Sequence, residues 1–288
     1  MFTKIFYNPV EERLRAGWRI LIFTSLLMVL GVALNTISVS SLFFTIGLAV
    51  MVLISLWLAA DFLDNRSFKE YGFSLAADWF RDLFTGVFIA AVSMGIIFII
   101  LFTFGWITII NTSFSLSAEL VSYLIFMMAV SIWEEGFFRS YLILNIKEGA
   151  QSAWISNRWA LIFAVSISSL FFSLGHLANP GATYLSAFNI FVAGAVLAYP
   201  FIATGSIGLS VGLHLSWNYF QSAVFGLPVS GNQFNQGIIQ SNINGSHLFT
   251  GGEFGPEGGI IGFIGLIVMI IFTHIYVILR KRTLQNRF

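Results

Sequence analysis

The sequence contains no cysteine and few charged residues. Its 288 residues include 13 Asp and Glu, 14 Lys and Arg and 4 His, so charged types make up 9% and the net charge is +1. Without cysteine, the chain forms no disulfide and offers no thiolate nucleophile or cysteine-bound metal. Soluble domains carry about 25% charged residues. The low fraction of charged residues in this chain excludes a soluble enzyme with a hydrated surface, a disordered chain and a basic protein that binds nucleic acid.

Apolar residues are abundant and occur in long runs. They make up 57% of the chain, and a helix that crosses a bilayer needs about 20 of them in succession. We expect helices, because backbone amides cannot remain unpaired in lipid and the runs do not alternate as barrel strands do. The sequence predicts an all-α, polytopic membrane protein with about eight transmembrane helices around a polar intramembrane cavity. The predicted spans are residues 18–36, 40–60, 84–105, 117–138, 159–177, 184–204, 206–225 and 258–279.

The basic residues all fall on one side of this arrangement. The terminal segments and alternate loops hold Lys4, Arg13, Arg15, Arg19, Arg66, Lys69, Arg81, Arg139, Lys147, Arg158, Arg280, Lys281, Arg282 and Arg287. By the positive-inside rule, both termini are expected in the cytoplasm. The first span lacks a small-residue cleavage site and is expected to stay as an anchor. We therefore expect a multi-pass protein of a bacterial-type plasma membrane, surrounded by membrane lipid.

One long loop is predicted outside the cytoplasm, at residues 226–257. It is rich in Gly, Asn, Gln and Ser, and it carries Glu253 and Glu257. A loop of this length is typically either disordered or functional. We expect a flexible, solvated extracytoplasmic connector, and the alternative interpretation is a lid over a site.

Two adjacent acidic residues occur inside the fourth predicted span. A charged side chain at the centre of a bilayer costs about 2.5–3.5 kcal/mol or more, so such residues are usually functional. Glu135 and Arg139 are four residues apart on one helix face and are expected to form a supporting ion pair. Glu134 points about 100° away on a helix of 3.6 residues per turn, free of that local partner. The pattern therefore predicts a general base at Glu134. The alternative is that these charged residues form an ion pair that only stabilises helix packing.

Two further spans supply histidines. His176 ends the fifth span, where a lone histidine is often only an interface residue. His214 and Asn218 in the seventh span are four apart, so both side chains project from one face. Both side chains can donate hydrogen bonds to a developing oxyanion, which would be a catalytic role. The alternative is a structural role, in which they form polar contacts between helices.

The sequence from Gly208 to Gly212 also matches the G-x-S-x-G pattern of serine hydrolases. That motif works on a strand–turn–helix elbow, whereas here it lies in an apolar helical run. We expect Gly208 and Gly212 to form a packing face instead.

Taken together, the polar residues form three motifs on three separate predicted spans. These are Glu134-Glu135-x-x-x-Arg139, Phe172-x-x-x-His176 and His214-x-x-x-Asn218. In this order they resemble the motifs of the CPBP intramembrane proteases (CAAX proteases and bacteriocin-processing enzymes, or the Abi family), which include the type II CAAX prenyl endopeptidases. The resemblance covers about residues 61–225, the expected protease core of a single transmembrane domain spanning residues 1–288.

The resemblance implies an intramembrane endopeptidase of the glutamic type. Carried over to this chain, Glu134 activates water and His176 helps to position it, while His214 and Asn218 stabilise the tetrahedral oxyanion. No cofactor or metal is then expected. The substrate is expected to be a peptide or membrane protein, and eukaryotic members of the family trim the last three residues of prenylated, hence lipidated, proteins.

Three alternatives remain open on the sequence. A zinc-dependent protease would use His176, His214 and one of the two glutamates, although the sequence shows no close ligand spacing. A non-catalytic scaffold or bacteriocin immunity protein would keep the motifs without turnover. A transporter would also place acids in the membrane, but no inverted repeat is visible.

The predicted depths of the site residues disagree. Along ideal helices, Glu134 lies about 8 Å from the inner end of its span and His214 about 12 Å, whereas His176 lies about 25 Å from Trp159. A shared site requires that the fourth span continue past Arg139 towards Lys147, or that the fifth start deeper or bend. We predict one of these corrections.

Overall fold

The computed structural model describes residues 3–37, 39–114, 117–151 and 154–285. Within these ranges the fold is almost entirely helical, and seven helices are long and apolar enough to cross a membrane. In chain order the helices are α1 (Thr3–Phe6), α2 (Ala16–Asn35), α3 (Ser41–Phe62), α4 (Ala77–Thr103), α5 (Ala118–Glu134), α6 (Ile143–Ala150), α7 (Asn157–Gly175), α8 (Tyr184–Thr204), α9 (Gly208–Tyr219), α10 (His247–Thr250) and α11 (Ile260–Gln285). The polytopic all-α class is thus confirmed.

The predicted count of eight spans is not confirmed. The seventh predicted window holds α9, which has only 12 residues, followed by a π-helical turn at Phe220–Val224. Every residue of α9 from Gly208 to Asn218 is buried. This short helix is therefore covered on all sides by the rest of the bundle, including its polar residues His214 and Asn218.

The packing face predicted on α9 is present. A Cβ atom added at Gly212 would overlap the carbonyl oxygen of Leu83, and one at Gly208 would crowd the carbonyl oxygen of Trp79. Small residues let the backbones of α4 and α9 touch, as they commonly do in membrane bundles. Ser210 is fully buried inside this helix, so the G-x-S-x-G match forms no nucleophile elbow.

The fourth predicted span is longer than expected. From Ala118 to Ala150 it runs for 33 residues, in which α5 passes through a π-helical segment at Glu135–Leu142 into α6. Of the two predicted corrections, continuation past Arg139 is therefore confirmed. The extension lets the acids lie deep in the bundle while the chain reaches Lys147.

The long segment after α9 is folded, so the prediction of a flexible connector is wrong. Strand β3 (Ile107–Thr112) pairs antiparallel with β4 (Ile239–Ile243), and 3₁₀ turns follow at Gly252–Phe254 and Pro256–Gly258. A much smaller ladder joins β1 (Tyr7–Asn8) to β2 (Arg13–Leu14) near the N-terminus. The β3–β4 ladder fixes the segment across one end of the bundle.

A buried ion cluster joins α2, α3 and α6 at the end rich in Lys and Arg. Asp64 is fully buried and accepts hydrogen bonds from Arg19 (2.7 Å), Tyr71 (2.5 Å) and Asn145 (3.0 Å). Burial and the neighbouring Asp64 raise the pKa of Tyr71, so its phenol stays protonated and donates. Because both carboxylate oxygens of Asp64 accept hydrogen bonds, the cluster can hold these helices together without leaving a bare charge.

Candidate active site

The π-helical segment carries the supporting ion pair. Glu135 and Arg139 are buried, and Arg139 Nε lies 3.2 Å from Glu135 Oε2. The predicted pairing at four residues' spacing is therefore present. A π-helical turn inside an α-helix is rare and often lies at a functional site. Here it begins at Glu135, directly after Glu134.

The imidazole of His214 lies between the two glutamates. Its Nδ1 is 2.8 Å from Glu135 Oε1, and its Nε2 is 3.6 Å from Glu134 Oε2. Glu134 has no partner on its own helix, as predicted, but it faces the histidine of α9. The contacts therefore join a cation, an anion, an imidazole and an anion, in the order Arg139, Glu135, His214 and Glu134. This arrangement partly balances charge in a buried setting.

Phe172 connects the three motifs. Its carbonyl oxygen lies 2.8 Å from His176 Nδ1, which must donate because a carbonyl only accepts. Its ring lies under Arg139, with 3.9 Å from the guanidinium carbon to the ring centroid, and meets the His214 ring edge-on at 6.2 Å. A cation over an aromatic face is stabilised by the ring quadrupole. One side chain therefore packs against the other two motifs while its backbone orients His176.

The four predicted catalytic residues line one cavity of about 440 Å³. Glu134 comes from α5, His176 from the end of α7, and His214 and Asn218 from α9. Glu134, His214 and Asn218 are buried, whereas His176 is half-buried. The remaining wall is largely apolar and comes from α5, α8 and α11. The cavity is thus a small polar site in an apolar bundle, as the sequence predicted.

A second acid in the cavity was not predicted to be part of the site. Glu257 is buried, and its carboxyl group accepts hydrogen bonds from the backbone and hydroxyl of Ser230 and from Trp217 Nε1 at 3.2 Å. Asn189 donates to the Glu257 carbonyl oxygen at 2.9 Å. Burial raises the pKa of Glu257, while its hydrogen bonds and His176 oppose that rise. The sequence feature that could have identified Glu257 is its position as an acidic residue directly before the last apolar run.

Residues of the long segment form the roof of the cavity. Val229, Ser230, Asn232 and Gln233 line it together with Glu257. We call the residues from Val229 to Gln233, held by Glu257, the roof. Its position over the site matches the lid alternative, which the amino-acid composition alone left open.

A catalytic zinc site needs three protein ligands around one point. Among the residues that the structure describes, no group of three His, Asp or Glu is placed to hold a metal ion. The Nδ1 atoms of His176 and His214 are hydrogen-bonded within the protein, so only Nε2 of each ring could bind a metal ion. No chemical step is therefore assigned to a metal.

Comparison with known families points to the same motifs. Residues 115–220 match the family described as type II CAAX prenyl endopeptidase Rce1-like. A search of curated proteins found no match, and neither did a search of solved structures. The matched segment includes Glu134, Phe172, His176, His214 and Asn218. The resemblance drawn from the three motifs is therefore confirmed: the part of this multi-pass membrane protein that holds them matches the Rce1-like type II CAAX prenyl endopeptidases, a family of membrane proteases.

Proposed function

We propose that this protein is an intramembrane endopeptidase in which Glu134 activates water for attack on a peptide bond. The observation that carries the proposal is the shared cavity, lined by Glu134, His176, His214 and Asn218. An acid, two imidazoles and an amide provide a base and hydrogen-bond donors, the parts that hydrolysis of an amide needs. The largely apolar wall of the cavity strengthens each electrostatic contact at the site.

The proposed reaction proceeds by direct attack of water. Glu134 takes a proton from water, and the hydroxide forms a bond to the carbonyl carbon while the carbonyl oxygen becomes an oxyanion. Asn218 and His214 donate to that oxyanion. When the tetrahedral intermediate collapses, the C–N bond breaks and the proton held by Glu134 passes to the leaving nitrogen. His176 positions the water, with its ring orientation fixed by the Phe172 carbonyl oxygen.

Glu135 acts on the reaction through His214. Because a carboxylate only accepts hydrogen bonds, His214 Nδ1 carries the proton shared with Glu135. Donation from Nε2 to an oxyanion then requires a proton on both ring nitrogens of His214. Arg139 keeps Glu135 in place. Glu135 and Arg139 are positioning residues in this account, not catalytic ones.

The proposal includes a metal-free mechanism, a peptide or membrane-protein substrate and cytoplasmic termini in a bacterial-type plasma membrane. With that orientation the roof faces the extracytoplasmic side. One tightly held zinc ion per purified chain, lost together with activity on chelation, would overturn the metal-free part.

Substrate trapping tests the proposed function against a scaffold, an immunity factor or a transporter. Glu134→Gln keeps the shape of the side chain but removes the base. After growth in cells, peptides that copurify with this variant are identified by mass spectrometry and offered to the purified wild type. We expect the wild type to cleave them. Retention of peptides that the wild type leaves intact would favour a non-catalytic binding protein.

A further inference from the structure

Two fully buried polar atoms in the cavity wall have no hydrogen-bond partner among the residues that the structure describes. They are Oε2 of Glu134 and Oδ1 of Asn189. Buried acceptors in proteins are nearly always paired, so each exception needs an explanation. The proposed reaction explains Glu134, because its carboxylate receives a proton from water. It gives no role to Asn189.

The amide of Asn189 is held in one orientation. Its Nδ2 atom donates to the carbonyl oxygen of Glu257 at 2.9 Å and to that of Gly259 at 2.8 Å. Because a carbonyl oxygen only accepts hydrogen bonds, the amide cannot turn over without placing its own oxygen against two others. Asn189 lies on α8 and is 2% exposed. Its Oδ1 atom is therefore a neutral acceptor that the surrounding backbone keeps in place.

The neighbouring acid already has its own donors. One carboxylate oxygen of Glu257 accepts the backbone and hydroxyl bonds from Ser230, and the other accepts the bond from Trp217. Glu257 therefore serves the roof and α9, whereas the oxygen of Asn189 serves no group of the protein among the described residues.

A peptide in the cavity brings both an acceptor and a donor at each peptide bond. In the proposed reaction Asn218 and His214 donate to the carbonyl oxygen, but no group yet receives a backbone N–H. An N–H that is buried without an acceptor is unfavourable, and so is the unpaired oxygen of Asn189. A hydrogen bond between the two removes both penalties.

We propose that Asn189 binds the substrate by accepting a hydrogen bond from a backbone N–H of the polypeptide in the cavity. This inference rests on the proposed function and adds a group that holds the substrate backbone. Every residue except proline carries such an N–H. The contact therefore recognises a peptide backbone without selecting a particular side chain.

The test compares two pools of hexamers that differ in the backbone donor. Both carry random Ala, Val, Leu and Phe side chains and the same termini. One pool is joined by peptide bonds and the other by esters, in which an oxygen replaces each linking N–H. Retention is measured on the immobilised full chain carrying Glu134→Gln, in detergent micelles. We expect the peptide pool to be retained about tenfold more strongly. Equal retention, or retention of neither pool, would overturn the inference.

A second substitution tests whether Asn189 causes this preference. Leucine is close to asparagine in shape but has no acceptor, so Asn189→Leu in the Glu134→Gln chain should lower the ratio between the pools by about tenfold. Asn179→Leu makes the same change at another asparagine of the cavity wall and should keep the ratio. An unchanged ratio in folded Asn189→Leu would overturn the inference and leave Asn189 with a structural role alone.

Two further variants separate direct binding from a loosened roof. Ser230→Ala removes one bond to Glu257 but leaves the oxygen of Asn189 in place, so it should keep the ratio. An equal fall of the ratio in Ser230→Ala and Asn189→Leu would contradict a direct bond to the substrate. If Asn189→Leu does not fold, Asn189→Ser replaces it, because the serine hydroxyl can still donate to one of the two carbonyl oxygens. The same fall of the ratio is then expected.

Binding and turnover are measured separately, so the two proposals fail in different ways. If the wild type cleaves none of the peptides that Glu134→Gln retains from cells, the endopeptidase proposal fails, and the ratio between the pools still decides the role of Asn189. If the wild type cleaves those peptides but the ratio is equal to one, Asn189 does not bind the backbone and the proposed role of Glu134 stands.

Discussion

The guanidinium carbon of Arg139 lies 3.9 Å from the centroid of the Phe172 ring, and this contact joins the first motif to the second. Since a desolvated cation over an aromatic ring contributes about 2 kcal/mol, Phe172→Leu should lower the stability of the protein by about that amount. The measurement is the thermal unfolding midpoint in detergent. Phe171→Leu is the control, because the Phe171 side chain is 54% exposed. Equal shifts for both variants would contradict a specific role for Phe172.

The ion pair between Glu135 and Arg139 should behave as a coupled unit. Removing one partner from a buried pair leaves a bare charge and costs about 3–5 kcal/mol. We therefore expect Glu135→Gln and Arg139→Met each to lower the unfolding midpoint strongly, and the double variant to lower it by less than the sum. A double-mutant cycle measures this coupling. Strictly additive shifts would mean that the two side chains do not stabilise each other.

Glu257 should hold the roof over the cavity. Its carboxyl group accepts two hydrogen bonds from Ser230, and a bond to a charged group is worth about 1.5–3 kcal/mol. Glu257→Ala should therefore speed hydrogen exchange of the roof amides by about tenfold or more. Glu253→Ala is a matched control from an exposed position in the same segment. Unchanged exchange in Glu257→Ala would show that other contacts fix the roof.

The absence of cysteine makes the orientation easy to measure. Single cysteines at Asn244 and Gln151, both exposed, lie in the segment after α9 and in the turn after α6. With cytoplasmic termini, a maleimide that cannot cross membranes should label Asn244→Cys in intact cells. It should label Gln151→Cys only after lysis. The reverse pattern would place the termini, and the basic residues near them, outside the cytoplasm.

The sequence predicts the parts of this fold that repeat a local pattern. Long apolar runs give the positions of the helices, although the fourth span continues past its predicted end to Ala150. The acid and histidine motifs give four of the side chains that line the cavity. Small residues four apart, at Gly208 and Gly212, correctly indicate close helix packing, because that contact depends on side-chain size at one helix face.

Other features depend on contacts distant in the sequence. The pairing of Ile107 with Ile243 brings together strands separated by more than 100 residues, and neither strand is apolar enough to stand out. The π-helical turn at Glu135 has no local signal of its own. Glu257 looks like a loop residue until Trp217 and Ser230 are placed beside it.

The central claim is that Glu134 activates the water that cleaves the peptide bond, and the most direct measurement is turnover of a trapped peptide by matched variants. Glu134→Gln should lower kcat by at least about 10³-fold, as expected when a general base is removed from a preorganised site. Glu119→Gln, an exposed acid on the same helix, should retain wild-type turnover. Wild-type turnover by folded Glu134→Gln would contradict the account.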